Sequence, residues 1–78
     1  MMSFEIKRPA TGQIPEELEI YVDRNGLESL LAQLGFLRDG RTDHVHLMST
    51  SWGGVHLEDQ PQTAEFASIH HVKIFFVD

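Results

Sequence analysis

Three stretches of the chain alternate between apolar and polar residues, and we predict β-strands in all three. In residues 17–23, Leu18, Ile20 and Val22 fall on one face of an extended chain. Residues 43–57, DHVHLMSTSWGGVHL, alternate on either side of a serine- and threonine-rich stretch, which predicts a hairpin of two strands around a short polar turn. The final stretch, HHVKIFFVD, carries apolar side chains on both faces, so we expect this strand to be central or covered on both sides.

A single amphipathic helix is predicted between the first of these strands and the hairpin. Its apolar stripe recurs at the helical spacing i, i+3, i+4 and i+7 and is expected in the core; it comprises Leu27, Leu30, Leu31 and Leu34. Asn25 is a candidate N-cap because Glu28 follows at capping-box spacing, and Asp23 competes for the same role. Gly35 is expected in the last turn or just beyond it.

The remaining segments are less regular. Residues 2–8 alternate weakly and predict an edge strand or a loosely held terminus. Residues 9–15 are bracketed by prolines and read as a connection. Residues 58–68 form a long, polar, acidic loop with Phe66 as its candidate anchor, and loops of this length in small domains are more often functional than idle.

These elements predict an α+β fold, a small and mostly antiparallel sheet of four or five strands with one helix packed on one face. A chain of 78 residues is expected to form a single domain, residues 1–78. The helix would be a right-handed crossover if the strands on either side of it are parallel neighbours.

Composition narrows the classes of function. The chain has no cysteine, which excludes disulfides and thiolate metal sites. No apolar run resembles a signal sequence or a membrane span, so we expect a cytoplasmic protein that does not insert into a membrane. The formal net charge of -6 argues against nucleic acid as a partner and is compatible with attraction to a basic protein.

The histidines suggest one specific chemistry. His44 and His46 are two residues apart on one predicted strand and emerge on the same face, and His71 would join them if the last strand pairs nearby. Three imidazoles could hold zinc with an open fourth position. The plainer interpretation is that they face solvent and make ordinary hydrogen bonds, so we expect no cofactor and no metal.

Other catalytic arrangements are weaker still. The acidic residues cluster in segments that are expected to be exposed, where a solvated surface is the simpler explanation than an acid–base pair. The run Ser49-Thr50-Ser51 resembles no nucleophile elbow and is typical of a turn. We assign no catalytic residue, and a small histidine-based metal-binding protein or hydrolytic enzyme is kept as an alternative.

Trp52 stands directly before Gly53 and Gly54. Two adjacent glycines beside a large indole predict a bulge or tight bend that aims the ring. The ring is either a plug in the core or a partly exposed anchor of the kind that dominates protein interfaces.

Three segments together resemble the immunity protein 32 family, whose members are encoded beside toxins of bacterial polymorphic toxin systems. These segments are IYVDRNGLESLLAQL, DHVHLMSTSWGG and HHVKIFFVD, and residues 1–17 resemble a variable N-terminal extension of that family. The positions that match the family pattern are His44, His46, Trp52, Gly53, Gly54, His71 and Lys73. The resemblance implies a non-enzymatic protein with an α+β fold that binds and neutralises a cognate toxin.

We therefore predict a protein surface rather than an active site. The residues expected to meet the toxin, which could be a basic nuclease, are Trp52, Glu58, Asp59, Glu65, His44 and His46. An alternative assigns His44, His46 and His71 to a metal, and another makes the chain an adaptor subunit of an unrelated complex. Either a monomer or a homodimer formed through a strand edge agrees with the sequence.

Overall fold

A computed structural model describes all 78 residues as five strands and one long helix. In chain order the elements are β1 (Met2–Lys7), β2 (Leu18–Val22), α1 (Arg24–Arg38), β3 (His44–Met48), a 3-10 turn (Thr50–Trp52), β4 (Phe66–Ser68) and β5 (His71–Phe75). The strands form two antiparallel sheets, one with the order β2-β1-β4 and one that pairs β3 with β5. The predicted α+β class is confirmed, with the strands divided between two sheets. The helix is too short and too polar to cross a membrane.

The first strand is the centre of the larger sheet, which corrects its prediction as an edge strand or loose terminus. β1 pairs with β2 on one side and with β4 on the other. Met2 and Phe4 point into the core, while Ser3 and Glu5 on the opposite face are fully buried as well. The alternation looked weak because both faces of this strand are covered over residues 2–5, so Ser3 and Glu5 do not face solvent.

The core joins the two sheets. Its central cluster contains Met2 and Phe4 from β1, Leu47 from β3 and Leu57 from the segment that follows the 3-10 turn. The backbone N–H of Glu58 donates to the carbonyl of Met2 at 2.8 Å, which fixes that segment against β1. The beginning of the chain and its middle are therefore needed together to complete the core.

The helix is capped by Asp23 and not by Asn25, the other candidate. Asp23 is the N-cap, and its carboxylate accepts a hydrogen bond from the Gly26 N–H at 2.8 Å, so the box of Asn25 and Glu28 is not formed. The helix ends at Arg38, and Gly35 lies in its last turn, as predicted.

The leucine stripe is less buried than predicted. Leu27 and Leu30 are half-buried, whereas Leu31 remains 53% exposed. Leu37, near the end of α1, is the leucine of the helix that is fully buried. The smaller sheet and the short β2 cover only part of the apolar helix face.

The predicted hairpin in residues 43–57 is wrong. β3 pairs with β5, in a register that places His46 opposite Lys73 and Met48 opposite His71. After β3 the chain enters the 3-10 turn, and only a single parallel bridge joins Ser49 to Leu57.

Because β2 and β3 lie in different sheets, α1 is not a crossover within one sheet. β5 is likewise not covered on both sides.

Candidate partner-binding surface

Six rings form a continuous series on the outer face of the smaller sheet, which we call the aromatic row. Trp52 stacks on His70 with ring centroids 5.7 Å apart and planes 5° apart, and lies 6.5 Å from His71. The series continues from His71 to His46 at 5.1 Å, from His46 to His44 at 4.9 Å, and from His44 to Phe75 at 5.2 Å. The series ends at His70 and at Phe75, and Trp52 and Phe75 are each 57% exposed.

Strand geometry explains why these side chains share a face. Successive residues of a strand point to opposite sides, so His44 and His46 emerge together from β3 and His71 and Phe75 emerge together from β5. The antiparallel register places His44 opposite Phe75 and sets His71 diagonally next to His46. The prediction that His71 would join the two histidines of β3 is confirmed.

The middle of the aromatic row is a pair of imidazoles in contact. His46 Nδ1 and His71 Nε2 lie 2.9 Å apart, so one ring donates its N–H and the other accepts. The pKa of His46 lies below its ordinary value of 6.5, first because neighbours reduce its hydration and then because His44, His71 and Lys73 would repel its positive charge. The neutral form of His46 is therefore favoured, and its ring is joined to that of His71 by this hydrogen bond.

A tight turn aims Trp52 at the row. The carbonyl of Ser49 accepts the N–H groups of Trp52 at 3.0 Å and Gly54 at 2.8 Å. Gly53 ends the 3-10 turn with φ of 84°, a left-handed conformation that glycine adopts without strain. A Cβ atom on Gly54 would lie 2.2 Å from the carbonyl oxygen of Met48. The predicted bend that aims the indole ring is confirmed.

Asp59 holds the same turn from the loop side. Its carboxylate accepts hydrogen bonds from Thr50 Oγ1 at 2.6 Å and from the Ser51 N–H at 3.1 Å. The hydrogen bond from Thr50, followed by those from Ser51, holds the pKa of Asp59 well below its usual range. Asp59 Oδ1 also lies 3.9 Å from His70 Nδ1, so this carboxylate supports the Trp52 end of the aromatic row.

The neighbourhood of His70 contains a serine, a histidine and an aspartate, but not in the order of a catalytic relay. In that relay the serine and the aspartate contact opposite nitrogens of the imidazole. Here Ser49 Oγ lies 2.8 Å from His70 Nδ1, and Asp59 approaches the same nitrogen. Ser49 is also fully buried. This arrangement fixes the orientation of His70 beneath Trp52.

The structure divides the six residues that were predicted to meet a partner. Four of them, Trp52, Asp59, His44 and His46, belong to the aromatic row or support it. Glu58 lies apart from them and lines a shallow groove beside the start of α1. Glu65 is near the other end of the long loop, where its carbonyl accepts the N–H of Arg8 at 3.2 Å.

The alternative metal assignment gains little from the geometry. His44, His46 and His71 lie side by side, yet no group of three or more histidine, cysteine or carboxylate side chains is arranged to hold a metal ion. The Nδ1 atom of His44 is instead 2.6 Å from Asp43 Oδ1.

Two members of the row, His70 and Phe75, were not assigned to it from the sequence. Alternation in the last strand already places Phe75 on the face of His71, so a signal for Phe75 was present. His70 precedes β5 and has no strand periodicity that would direct its ring toward Trp52.

A buried carboxylate was also missed. Glu5 accepts hydrogen bonds from Ser3 Oγ and the Gln62 N–H, both at 2.7 Å, and from the Thr63 N–H at 3.2 Å. Burial acts to raise the pKa of Glu5, but the hydrogen bonds from Gln62, Ser3 and Thr63 outweigh it and lower the pKa below 4.5. Tyr21 adds a further contact, 2.7 Å from Thr63 Oγ1. The long loop is therefore fastened to the larger sheet.

The concave parts of the surface lie outside the aromatic row. One is lined by residues 7–17 and the other by the start of α1 and residues 55–58. No side-chain hydrogen bond in either joins a hydroxyl group to a histidine.

Comparison with known proteins gives no relative: no protein-family model, no curated protein and no solved structure matches the chain.

Proposed function

We propose that this chain is a non-enzymatic immunity protein that binds a cognate bacterial toxin and neutralises it by stoichiometric contact. The observation that carries the proposal is the aromatic row, a series of rings in which Trp52 and Phe75 are each more than half exposed. Tryptophan and tyrosine dominate the energetics of protein interfaces because they bury a large area while losing little conformational freedom.

The rigidity of the aromatic row suits it to binding a partner. The backbone N–H of Trp52 donates to the Ser49 carbonyl, and the preceding residue, Ser51, donates its N–H to the carboxylate of Asp59. The indole ring is stacked on His70. A side chain that is already ordered before the partner arrives loses less entropy on binding. An exposed tryptophan without such support would be expected to sample several rotamers.

The charge of the chain supports a basic partner. The net charge of -6 produces a field that attracts cationic proteins and accelerates their encounter. Glu58 and Glu65 are exposed, and their carboxylates form no ion pair, so these side chains contribute to the field without fixing the fold. Asp59 differs from them because its carboxylate is already engaged by the 3-10 turn.

The identity of the partner as a toxin rests on the resemblance to the immunity protein 32 family. The three resembling segments include β3, the 3-10 turn and β5, the elements that build the aromatic row. The non-enzymatic part of the proposal has separate support: Ser49 and Asp59 approach the same nitrogen of His70, which suits a fixed ring better than an activated nucleophile.

The direct test is co-expression with the protein encoded by the neighbouring reading frame. We expect the two chains to co-purify in equal amounts and the toxicity of the neighbour to be lost when this chain is present. Trp52→Ala should weaken the complex by roughly tenfold or more, as expected for an interface anchor. Phe76→Ala is the matched control, because Phe76 is a similarly exposed aromatic residue, at 56%, that alternation places on the opposite face. Equal loss in both variants, or no complex at all, would contradict the proposal.

Charge reversal tests the contribution of the loop separately. Glu58→Lys combined with Glu65→Lys should slow association and reduce its dependence on salt, while dissociation changes little. Glu16→Lys combined with Glu17→Lys is the control for an equal change of net charge, because both residues are exposed, lie outside the loop and form no ion pair. If both changes slow association equally, the loop has no specific part in the encounter.

Zinc titration distinguishes the binding proposal from the metal alternative. Calorimetry on the purified protein, with His46→Ala for comparison, should give no tight stoichiometric uptake of zinc, because no set of three donors is assembled. Tight uptake that His46→Ala abolishes would instead favour the metal-binding protein.

A further inference from the structure

The inner and outer histidines of the aromatic row differ in their counter-ions. Each outer imidazole has a carboxylate nearby: Asp43 Oδ1 is 2.6 Å from His44 Nδ1, and Asp59 Oδ1 is 3.9 Å from His70 Nδ1. The inner pair, His46 and His71, has no such carboxylate and makes its hydrogen bond to itself.

A fixed positive charge lies beside the inner pair. Lys73 is opposite His46 in the register of β3 and β5, and it shares the face of His71 by strand alternation. Lys73 takes part in none of the five ion pairs of the chain. The centre of the aromatic row is thus a cationic or protonatable spot on an otherwise acidic protein.

From this asymmetry we infer that His46, His71 and Lys73 form a receiving site for a carboxylate of the protein partner, with Trp52 and Phe75 contacting apolar side chains on either side. The inference rests on the proposed binding function and adds the chemistry of the contact. A partner carboxylate would lie beside the inner pair as Asp43 and Asp59 lie beside the outer rings.

Nucleic acid phosphates are the competing anion, and the charge of the chain disfavours them. A polyanion would be repelled by a protein of net charge -6. A single carboxylate on a basic protein is not repelled at long range, because the net charge of that protein is positive. The acidic surface can therefore attract a basic partner at a distance while the aromatic row accepts one anionic side chain at contact.

Binding at this site is expected to take up a proton. The groups that face His46 are His44 on its own strand and His71 and Lys73 on β5, with Asp43 and Asp59 already engaged at the ends of the row. An added carboxylate favours the protonated form of His46, so affinity should rise as the pH falls from about 7.5 to about 6.

The test uses a capped tripeptide, acetyl-Leu-Glu-Phe-amide, and its glutamine analogue, followed by NMR on the isotope-labelled protein. We expect the Glu peptide to shift the resonances of His46, His71 and Lys73 and to bind roughly fivefold more tightly at the lower pH, while the Gln peptide shows neither effect. Lys73→Met should weaken the Glu peptide severalfold, and Lys7→Met, a change of an exposed lysine in β1, should not. His46→Phe keeps a ring in the row and should remove the pH dependence.

Other outcomes overturn the inference. Equal binding of both peptides, shifts elsewhere on the protein or no shifts at all would remove the carboxylate site, and tighter binding of a thymidine oligonucleotide at the same residues would assign the row to nucleic acid. If the peptides do not bind but the chain still forms a complex with the toxin, the carboxylate site is removed and the proposed function is kept. Peptide binding without any toxin complex would remove the proposed function and keep the site.

Discussion

Gly54 lies so close to Met48 that a Cβ atom at residue 54 would come within 2.2 Å of the Met48 carbonyl oxygen and 2.5 Å of its Cβ atom. This approach brings residues 54–57 back over the end of β3, where Leu57 N–H donates to the same carbonyl at 3.1 Å. The turn that carries Trp52 is therefore possible only with a residue that lacks a side chain at position 54.

Gly54→Ala should destabilise the protein by about 2 kcal/mol or more, because backbone atoms must move to relieve the overlap. Gly35→Ala is the matched control: it lies inside α1, and the nearest atom to its added Cβ would be the flexible Arg38 guanidinium at 3.7 Å. We expect that control to stabilise the protein by about 0.5–1 kcal/mol. Urea unfolding measures both, and similar midpoints for the two variants would show that the close approach is not rigid.

Glu5→Gln should cost about 2 kcal/mol of stability, because the buried carboxylate accepts hydrogen bonds from two backbone N–H groups and an amide retains only one acceptor oxygen. Glu16→Gln, an exposed change of the same chemistry, should stay within about 0.5 kcal/mol of the wild type. Chemical denaturation gives the free energies of unfolding. Faster amide exchange at Gln62 and Thr63 in Glu5→Gln would confirm that the loop is what has loosened.

Acid should remove the contribution of Glu5. Its pKa is lower in the folded protein than its ordinary value of 4.5, so the unfolded chain binds the proton first as the pH falls. The stabilisation is complete above that ordinary value and is lost as the pH falls through the folded pKa. The difference in unfolding free energy between wild type and Glu5→Gln should shrink on acidification from about pH 7 to about pH 3. A constant difference would mean that hydrogen-bond geometry, not ionisation, sets the effect.

His46 should titrate below 6.5 in a pH series followed by NMR at its ring protons. Lys73→Met removes one of the charges that oppose its protonation and should raise the midpoint, and His71→Asn should raise it as well. Lys7→Met provides the comparison, since Lys7 lies in the other sheet. An unchanged His46 midpoint in both row variants would contradict the coupling between these side chains.

The sequence was sufficient for the class of fold and for most elements, because periodicity reports which face of a strand or helix is apolar. It failed where polar residues are buried or where pairing is non-local. Ser3 and Glu5 made β1 look like an edge although a loop covers them, and nothing local to residues 43–57 indicates that β3 pairs with β5 instead of its neighbour.

The aromatic row could be predicted in part. Alternation placed His44 and His46 on one face and His71 and Phe75 on another, and only the register of β3 with β5 shows that these are the same face of one sheet. The contacts of His70 and Asp59 with the 3-10 turn depend on how residues 53–59 fold back, which glycine spacing indicates but does not specify.

The long loop is attached at both ends of its polar segment: Asp59 holds the turn beneath Trp52, and Gln62 and Thr63 are bonded to Glu5 inside the larger sheet. An alanine scan that scores only complex formation would therefore flag Glu5 as an interface position although its side chain never reaches the outer surface. A thermal melt of every variant is needed beside such a scan, because it distinguishes a variant that destabilises the loop from one that loses a direct contact with the partner.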